Sequence, residues 1–376
     1  MSRPATRCST TNRRCAMRRR VMRTVLGVLG LLTLLAPGGA PRAQEPRFDG
    51  VTLRVATWGG GNRDFVRDKV GVELEKRGAK VEYVAGSPAE NLAKLIAARG
   101  RPAPFDVVEM IDSVVPDFME GGFLQKIELA NVPNTKSLKA FQYDDNKVAN
   151  WVTQEGIVYH AEKFKELGIP APVKYADLLN PKLKGKVVFP DVGTGGWVHA
   201  IVGMSAAFGG SEANIDPGLS AIKDLRPRSY FSGSGETEYT EFKNGDIWAA
   251  PMHAGWAIQM HKRGITQVKS AHMQVGQKRG MAKYGYWGVI KGTPATRAAE
   301  YCINTYISAD AQEYMTKNRG LVAVNAEAQR RLLSDPLLAE MLLLKPEEIG
   351  NLYLIDFSKV RIADWTDKWN RMIARP

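Results

Sequence analysis

Two glycine-rich stretches could bring the backbone close to a bound molecule. Trp58-Gly59-Gly60-Gly61 directly follows a strand-like segment at 51–55, and Gly193-Thr194-Gly195-Gly196 precedes a helical pattern. Glycine lets the chain pass close beneath a ligand, and the free N–H groups at a helix start favour an anionic group. The bound group could be a nucleotide phosphate, a catalytic oxyanion or a solute that the protein only carries.

The spacing of the glycines excludes the common nucleotide motifs. A dinucleotide motif that starts at Gly59 needs glycine at position 64, which is Asp64, and one that starts at Gly193 meets Val198 instead of glycine. No Gly-Lys-Ser/Thr phosphate loop occurs in the sequence.

Hydrolase and metal-site interpretations also fail. The nearest approach to a nucleophile elbow, Gly203-Met204-Ser205-Ala206-Ala207, lacks its last glycine and lies inside a helical pattern. The histidines form no His-x-x-x-His pair of the kind that binds zinc. We therefore predict no catalytic residue, no metal and no cofactor.

What remains is a set of aromatic and small polar residues at predicted strand ends. Each taken alone could be core filler or a turn, but their convergence on one interface is typical of a small-molecule cleft. The set comprises Trp58, Ser113, residues 151–155, the loop at 193–197, residues 252–256, and Tyr286 with Trp287.

Strands and helices alternate along the first third of the chain after residue 50. Ser87-Pro88-Ala89-Glu90 predicts a capping box, the helix after it should bury Leu92, Leu95 and Ile96, and Asp112-Ser113 could cap the next helix. This order predicts a parallel sheet covered by helices, with ligands beyond the carboxyl ends of its strands. A second unit of the same style begins near residue 152 without a linker, so we expect two units that share strands and pack around a cleft.

The first 43 residues read as a secretory signal peptide, with a basic n-region and a twelve-residue apolar run at 25–36. Nine arginines and no acidic residue lie there, so the formal net charge of +13 falls to +4 in the remainder, which removes the support for nucleic-acid binding. Only Cys302 remains after the leader, so no internal disulfide is expected. The product should be an exported, monomeric periplasmic protein.

Several ordered motifs resemble the periplasmic solute-binding proteins of ABC importers, of the spermidine/putrescine-binding type (extracellular solute-binding family 1). The resemblance covers essentially residues 51–376. The motifs are LRVATWGG at 53–60, FDVV at 105–108, EGIVY at 155–159, LLNPKLKGKV at 178–187, SADAQ at 308–312 and WTDKWN at 365–370.

The resemblance implies a two-lobed α/β fold (type II), each lobe a mostly parallel sheet flanked by helices, with the ligand cleft between the lobes. It places lobe 1 at 51–151 plus 290–345, lobe 2 at 152–289, and C-terminal helices at 346–376 that pack back across the hinge. Such a protein captures its solute by hinge closure and delivers it to a membrane permease.

Departures from the family pattern bear on the ligand. Polyamine carriers hold ammonium groups with carboxylates, and three of those acids align near Gly255, Trp287 and His199, which leaves Glu155, Asp112 and Asp191 as candidates. The glycine loop favours an anion instead. We therefore expect a small polar solute that is either polyamine-like or anionic, or zwitterionic with Glu155 meeting its amine. The candidate ligand-binding residues are Trp58, Gly59, Ser113, Gln154, Glu155, Thr194, Gly195, His199, His253, Trp256, Tyr286 and Trp287.

Two other classes of protein stay open at this point. An exported enzyme on the same two-lobed fold would need a nucleophile–base pair or a metal in the cleft. A sensor-only binding protein would feed a receptor rather than a permease. A ferric-iron carrier is disfavoured because the sequence has no adjacent pair of tyrosines.

Overall fold

Most strands of the chain are short, and only two of those described, Val148–His160 and Met281–Ile290, have ten residues or more. A computed structural model describes residues 46–232 and 236–373, and the predicted signal peptide at 1–43 lies outside the described residues. The strands are β1 (Thr52–Thr57), β2 (Lys80–Ala85), β3 (Val107–Ile111), β4 (Leu124–Gln125), β5 (Val148–His160), β6 (Val188–Pro190), β7 (Ser229–Phe231), β8 (Ala249–His253), β9 (Val268–Ala271), β10 (Gln274–Val275), β11 (Lys278–Arg279), β12 (Met281–Ile290) and β13 (Tyr353–Leu354).

The helices are short to medium in length, and within the described ranges none is long and apolar enough to cross a membrane. A π-helical segment, Val66–Gly71, joins the first two into one continuous run. The α-helices are α1 (Gly61–Phe65), α2 (Val72–Glu75), α3 (Pro88–Ala97), α4 (Val115–Glu120), α5 (Ala161–Glu166), α6 (Trp197–Ala207), α7 (Asp216–Leu225), α8 (Glu236–Asn244), α9 (Ala254–Lys262), α10 (Thr296–Tyr306), α11 (Ala309–Arg319), α12 (Ala326–Leu332), α13 (Pro336–Met341), α14 (Pro346–Gly350) and α15 (Ile362–Met372).

One mixed sheet organises the fold, with the strand order β2-β1-β3-β12-β5-β8. β2, β1 and β3 are parallel, whereas β12 runs antiparallel to both β3 and β5. The late part of β5 pairs with β8 and β9. The two long strands β5 and β12 therefore run from the parallel part of the sheet to the part that contains β8 and β9. The α/β class is the predicted one, whereas the sheet is mixed and not mostly parallel, because β5, β8, β9 and β12 pair antiparallel.

Buried apolar side chains surround this sheet on both sides. Beside the parallel strands, Phe105, Met110 and Phe118 form one cluster with Leu95. Beyond the end of β5, a second cluster gathers around Phe189 and α6. A third cluster is continuous along β1, β5, β12 and α10, and so connects the two parts of the sheet.

The C-terminal helix α15 packs against the part of the chain around α6. The Trp369 ring lies edge-on to Trp197 at 5.9 Å and to Tyr230 at 5.5 Å between centroids. Upstream of α15, the backbone of Leu343 exchanges two hydrogen bonds with the Gln154 amide, at 2.6 and 2.8 Å. The segment after residue 340 is therefore tied to both β5 and α6.

Local sequence signals at α3 are confirmed in part. Ser87 Oγ accepts from the N–H of Glu90, the Glu90 carboxylate accepts from the N–H of Ser87, and Pro88 occupies the first helical position. Leu95 is buried as predicted, but the prediction for Ile96 was wrong, since 51% of it is exposed. The buried face of α3 is completed by Asn91, whose amide bonds the carbonyl of Gly86.

The predicted cap at Asp112-Ser113 was also wrong. Helix α4 begins after Val114 and has no side-chain cap. The Asp112 carboxylate instead accepts the N–H of Ser113 at 2.8 Å and the N–H of Tyr284, on β12, at 2.9 Å. Asp112 therefore fastens the end of β3 to a neighbouring strand.

Candidate functional site

A cavity of about 620 Å³ opens where β1, β6 and β8 end. This position, beyond the carboxyl ends of strands, is where α/β folds place ligands. Its lining combines aromatic rings with glycine backbone and a few charged groups, as small-molecule sites do. The lining residues are Trp58, Gly59, Gly60, Gly61, Asn62, Trp151, Thr153, Thr194, Gly195, Gly196, Glu236, Tyr239, His253, Trp256, Gln259, Arg263, Lys283, Arg319 and Leu321.

The glycines after β1 make room for a guanidinium group. A Cβ on Gly61 would lie 2.4 Å from Nη1 of Arg319, so a side chain there would displace that cation. Gly60 has φ 59°, a left-handed conformation that glycine adopts freely. The Arg319 Nε donates to Oδ1 of Asn62 at 3.3 Å. The turn after β1 is therefore shaped around Arg319.

Backbone contacts at the end of α11 hold Arg319 in place. Gly320 ends α11 in the left-handed conformation, and a Cβ there would lie 2.3 Å from the Cα of Gly255. The Gln259 amide donates to the Arg319 carbonyl at 3.2 Å. The start of α9 thus packs directly on the residue pair that presents the guanidinium to the cavity.

Within the described residues Arg319 forms no ion pair, although Asp64 acts on its charge from beyond ion-pair distance. Among residues 46–232 and 236–373, no carboxylate lies within 4.0 Å of its guanidinium. Burial lowers its pKa from the usual range for arginine, which marks the cost of placing a cation there. The neighbouring Arg263 differs, because it pairs with Glu236 at 2.8 Å and lies over the Tyr239 ring at 4.7 Å.

Lys283, which lines the cavity, forms a buried ion pair with Glu155 behind it. Lys283 Nζ lies 2.8 Å from Oε1 of Glu155, and both side chains are less than 10% exposed. Thr153 Oγ1 donates to the same carboxylate at 2.6 Å. Burial is the largest influence on the pKa of Glu155 and raises it, but the charges of Lys283, His253 and His199 and the Lys283 hydrogen bond together lower the pKa to about 2.

The loop before α6 lies beside this ion pair. A Cβ on Gly195 would lie 3.6 Å from both Lys283 Nζ and the Trp58 ring, so the loop passes close to both. Within the described part of the chain, the N–H groups of Gly195 and Gly196 donate no hydrogen bond. They stand at the N-terminus of an eleven-residue helix, where an electronegative group is stabilised.

Two buried histidines flank the ion pair. Burial lowers the pKa of His253 to about 3 and that of His199 to about 4, so both imidazoles are neutral near pH 7. His199 Nε2 lies 3.8 Å from Oδ2 of Asp112. Burial raises the pKa of Asp112 to about 7. Lys283 is therefore the cation that sustains the charge of Glu155 at neutral pH.

Half of the residues proposed from the sequence line the cavity and half do not. The lining ones are Trp58, Gly59, Thr194, Gly195, His253 and Trp256, and the others are Ser113, Gln154, Glu155, His199, Tyr286 and Trp287. Gln154 follows Thr153 on β5 and bonds the Leu343 backbone instead, because alternate strand residues point to opposite faces. Glu155 lies behind Lys283.

Trp287 and Tyr286 lie too far along β12 to line the cavity. Trp287 is four residues beyond Lys283, about 13 Å at the rise of a strand. It is fully buried and packs edge-on against Tyr306 at 5.4 Å. Tyr286 faces Tyr284 and the Lys147 ammonium, and Ser113 lines a separate cavity beside Phe357.

The charged residues of the cavity were missed in the sequence. Lys283 left a signal, because it is a lone lysine in the otherwise apolar strand Met281–Ile290. Arg319 left none, since it is one of several basic residues near the end of α11, and its approach to Gly61 depends on tertiary packing.

Gly255, where the family resemblance aligned one of the missing acids, has no space for any side chain. A Cβ there would lie 2.8 Å from the carbonyl oxygens of Arg319 and Gly320. The polyamine-binding acid therefore has no counterpart at this position.

Comparisons with known proteins identify the family to which this α/β chain belongs. The sequence at 73–340 matches the family model described as bacterial extracellular solute-binding protein. Because this match spans more than half of the chain, the chain belongs to that family. A comparison with curated proteins finds no significant match.

Solved structures with the same fold are numerous but distant in sequence. An ABC transporter from Clostridium perfringens has 21% identity and a TM-score of 0.67, with 85% of this chain and 99% of that chain covered. A protein described as a spermidine/putrescine ABC transporter from Listeria monocytogenes has 17% identity and a TM-score of 0.67, with coverages of 84% and 97%. The PBP AgtB from A. tumefaciens R10, in complex with agropinic acid, has 19% identity and a TM-score of 0.64, with coverages of 86% and 97%. At these identities the likeness shows the fold alone.

Proposed function

We propose that this protein is the periplasmic, exported binding component of an ABC importer, and that it captures a small organic anion in the cavity around Arg319. The observation that carries the proposal is a half-buried guanidinium that faces the cavity without a carboxylate partner in the described residues. A buried cation is costly unless an opposite charge reaches it. A carboxylate, phosphonate or sulfonate on the ligand supplies that charge in bidentate geometry.

The other polar groups of the cavity support an anion over a polyamine. Glu155 is occupied by Lys283, and Glu236 by Arg263. An ammonium group on the ligand would therefore find no free carboxylate on the described cavity walls. The free N–H groups of Gly195 and Gly196 also favour an electronegative group.

Capture is proposed to work by closure of two lobes around the solute. Residues after β1 form one side of the cavity, and residues from the loop before α6 and from α9 form the other. A ligand that contacts both sides favours the closed form by its preference for that form. The closed form is then the one that a membrane permease would receive.

A thermal-shift titration tests the charge of the ligand. The purified protein, freed of copurified ligand by unfolding and refolding, is titrated with small carboxylates, phosphonates and sulfonates, and separately with spermidine and putrescine. Ligand at a hundred times its dissociation constant stabilises the protein by about 2.7 kcal/mol, a shift of several degrees. Anions should shift the transition in wild type but not in Arg319→Gln.

The matched control is Arg371→Gln, which removes the same charge from an exposed position on α15. It should respond to anions as wild type does. A shift with spermidine alone, or an equal response to anions in Arg319→Gln and wild type, would overturn the proposal.

A further inference from the structure

The aromatic walls of the cavity indicate the shape of the solute. Trp58, after β1, and Trp256, on α9, are half-buried and line the cavity from different segments of the fold. Large indole surfaces left facing a cavity are apolar surface that a ligand can cover. Trp151, Tyr239 and Leu321 add to the same lining.

The Trp256 ring is held rigidly before any ligand arrives. Its centroid lies 5.7 Å from Phe231, 5.7 Å from Tyr239 and 5.8 Å from His253, with interplanar angles of 54°, 84° and 90°. Edge-on and tilted contacts of this kind fix the orientation of an aromatic ring. Because the Trp256 ring is already ordered, a flat ligand can stack on its face at little cost in side-chain entropy.

The size and charge of the cavity further restrict the class of solute that it can hold. A volume of about 620 Å³ is in the range of sites for drug-sized ligands and exceeds what a two- or three-carbon acid fills. Three cations, Arg263, Lys283 and Arg319, face two carboxylates, Glu155 and Glu236, which leaves one positive charge uncompensated. That excess matches one anionic group on the solute.

The part of the cavity around Lys283 and Gly195 can hold neutral polar groups. Lys283 and Glu155 form a neutral pair there, next to the free N–H groups of Gly195 and Gly196. The indole Nε1 of Trp58 and Nδ1 of His253 are buried and have no hydrogen-bond partner among the described residues. The free N–H groups of Gly195 and Gly196 are suited to a hydroxyl or carbonyl oxygen of a ligand.

We infer that the solute is a cyclic monocarboxylate whose acid group binds Arg319 and whose ring lies between Trp58 and Trp256. This inference rests on the proposed function and adds the ring. Aromatic acids and sugar acids share this chemistry, since both present a ring face to tryptophan, and they differ in the polar groups that they offer to the Lys283 side.

A titration that separates the ring from the acid tests the inference. The probes are phenylacetate and 4-hydroxybenzoate, glucuronate as the pyranose acid, acetate and propionate as small acids, and benzamide as a neutral ring. At least one ring acid should bind about tenfold or more tightly than acetate. Trp256→Leu should weaken that ring acid about tenfold and leave acetate unchanged. A larger effect for glucuronate than for the aromatic acids identifies the pyranose class, and the reverse identifies the aromatic class.

The control is Trp248→Leu, which removes an indole that packs on Lys186 outside the cavity. It should change no affinity. If Trp256→Leu fails to fold, Trp58→Leu makes the same comparison. If acetate or propionate binds as tightly as every ring acid, and this binding depends on Arg319, the inference of a cyclic solute is wrong and the proposed function still stands. Binding of spermidine but of no acid would overturn both.

Discussion

The buried pair Lys283–Glu155 provides a test of the site that needs no ligand. Lys283→Met keeps an apolar side chain of similar length in β12 and leaves the Glu155 carboxylate buried without its counter-charge. Breaking a buried pair in this way costs about 3–5 kcal/mol. The net fall in the pKa of Glu155 from 4.5 to about 2 corresponds to about 3 kcal/mol, and it has the sign expected of a carboxylate whose charge is stabilised in the folded protein.

The pH dependence of the loss has a definite sign. The folded-state pKa of Glu155 lies below its unfolded value, so its stabilising contribution is present above pH 4.5 and is lost as the pH falls through about 2. Without Lys283, burial raises the pKa of Glu155, and the carboxyl then favours folding only when protonated. The difference in stability between wild type and Lys283→Met should therefore grow as the pH rises.

Urea unfolding of the unliganded protein between pH 3 and pH 8 measures this difference. The matched control is Lys80→Met, which breaks the exposed pair with Glu82 and should cost less than about 1 kcal/mol. The double variant Lys283→Met/Glu155→Gln should recover most of the loss, because no charge is left buried. A loss below 1 kcal/mol in Lys283→Met at pH 7, or a stability difference that does not change with pH, would refute the argument.

Three further predictions concern stability. The folded-state pKa of Asp112 is raised to about 7, so wild type should lose stability as the pH rises from about 4 to 7, and Asp112→Asn should not. Urea titrations across that range should show the stability difference between the two proteins change by about 3–4 kcal/mol, and parallel pH profiles would contradict the prediction. Ser87→Ala should cost about 0.5–2 kcal/mol through loss of the capping box, and an unchanged urea midpoint would show that α3 does not need it. Trp287→Ala should cost about 3–5 kcal/mol as a core truncation, and a loss of ligand affinity without loss of stability would instead place Trp287 in the binding site.

Residues that depend on local sequence were predictable. The loops of Trp58 and Thr194 follow strands whose hydrophobic pattern is clear, and parallel strands bring their carboxyl ends to one edge. The capping box at Ser87 is specified by four adjacent residues. His253 lines the cavity for the same reason as Trp58, because it stands at the end of a strand.

Residues that depend on tertiary packing were not predictable. Arg319 reaches Gly61 across 258 positions of sequence, through a glycine contact between α11 and α9. Trp287 was proposed for the site as a residue at a predicted strand end, whereas β12 begins at Met281 and brings Lys283 to the cavity instead. The alignment with polyamine carriers could not show whether a position has room for a side chain, and Gly255 has no such room.

The central claim, that Arg319 binds the charged group of the solute, is tested most directly by a double-mutant cycle. Isothermal titration compares the tightest-binding acid with its neutral amide, on wild type and on Arg319→Gln. The account predicts that the acid loses at least about 1.5 kcal/mol more than the amide when Arg319 is replaced, the value of a hydrogen bond to a charged group. Equal losses for the acid and the amide would contradict the claim and place the anion elsewhere.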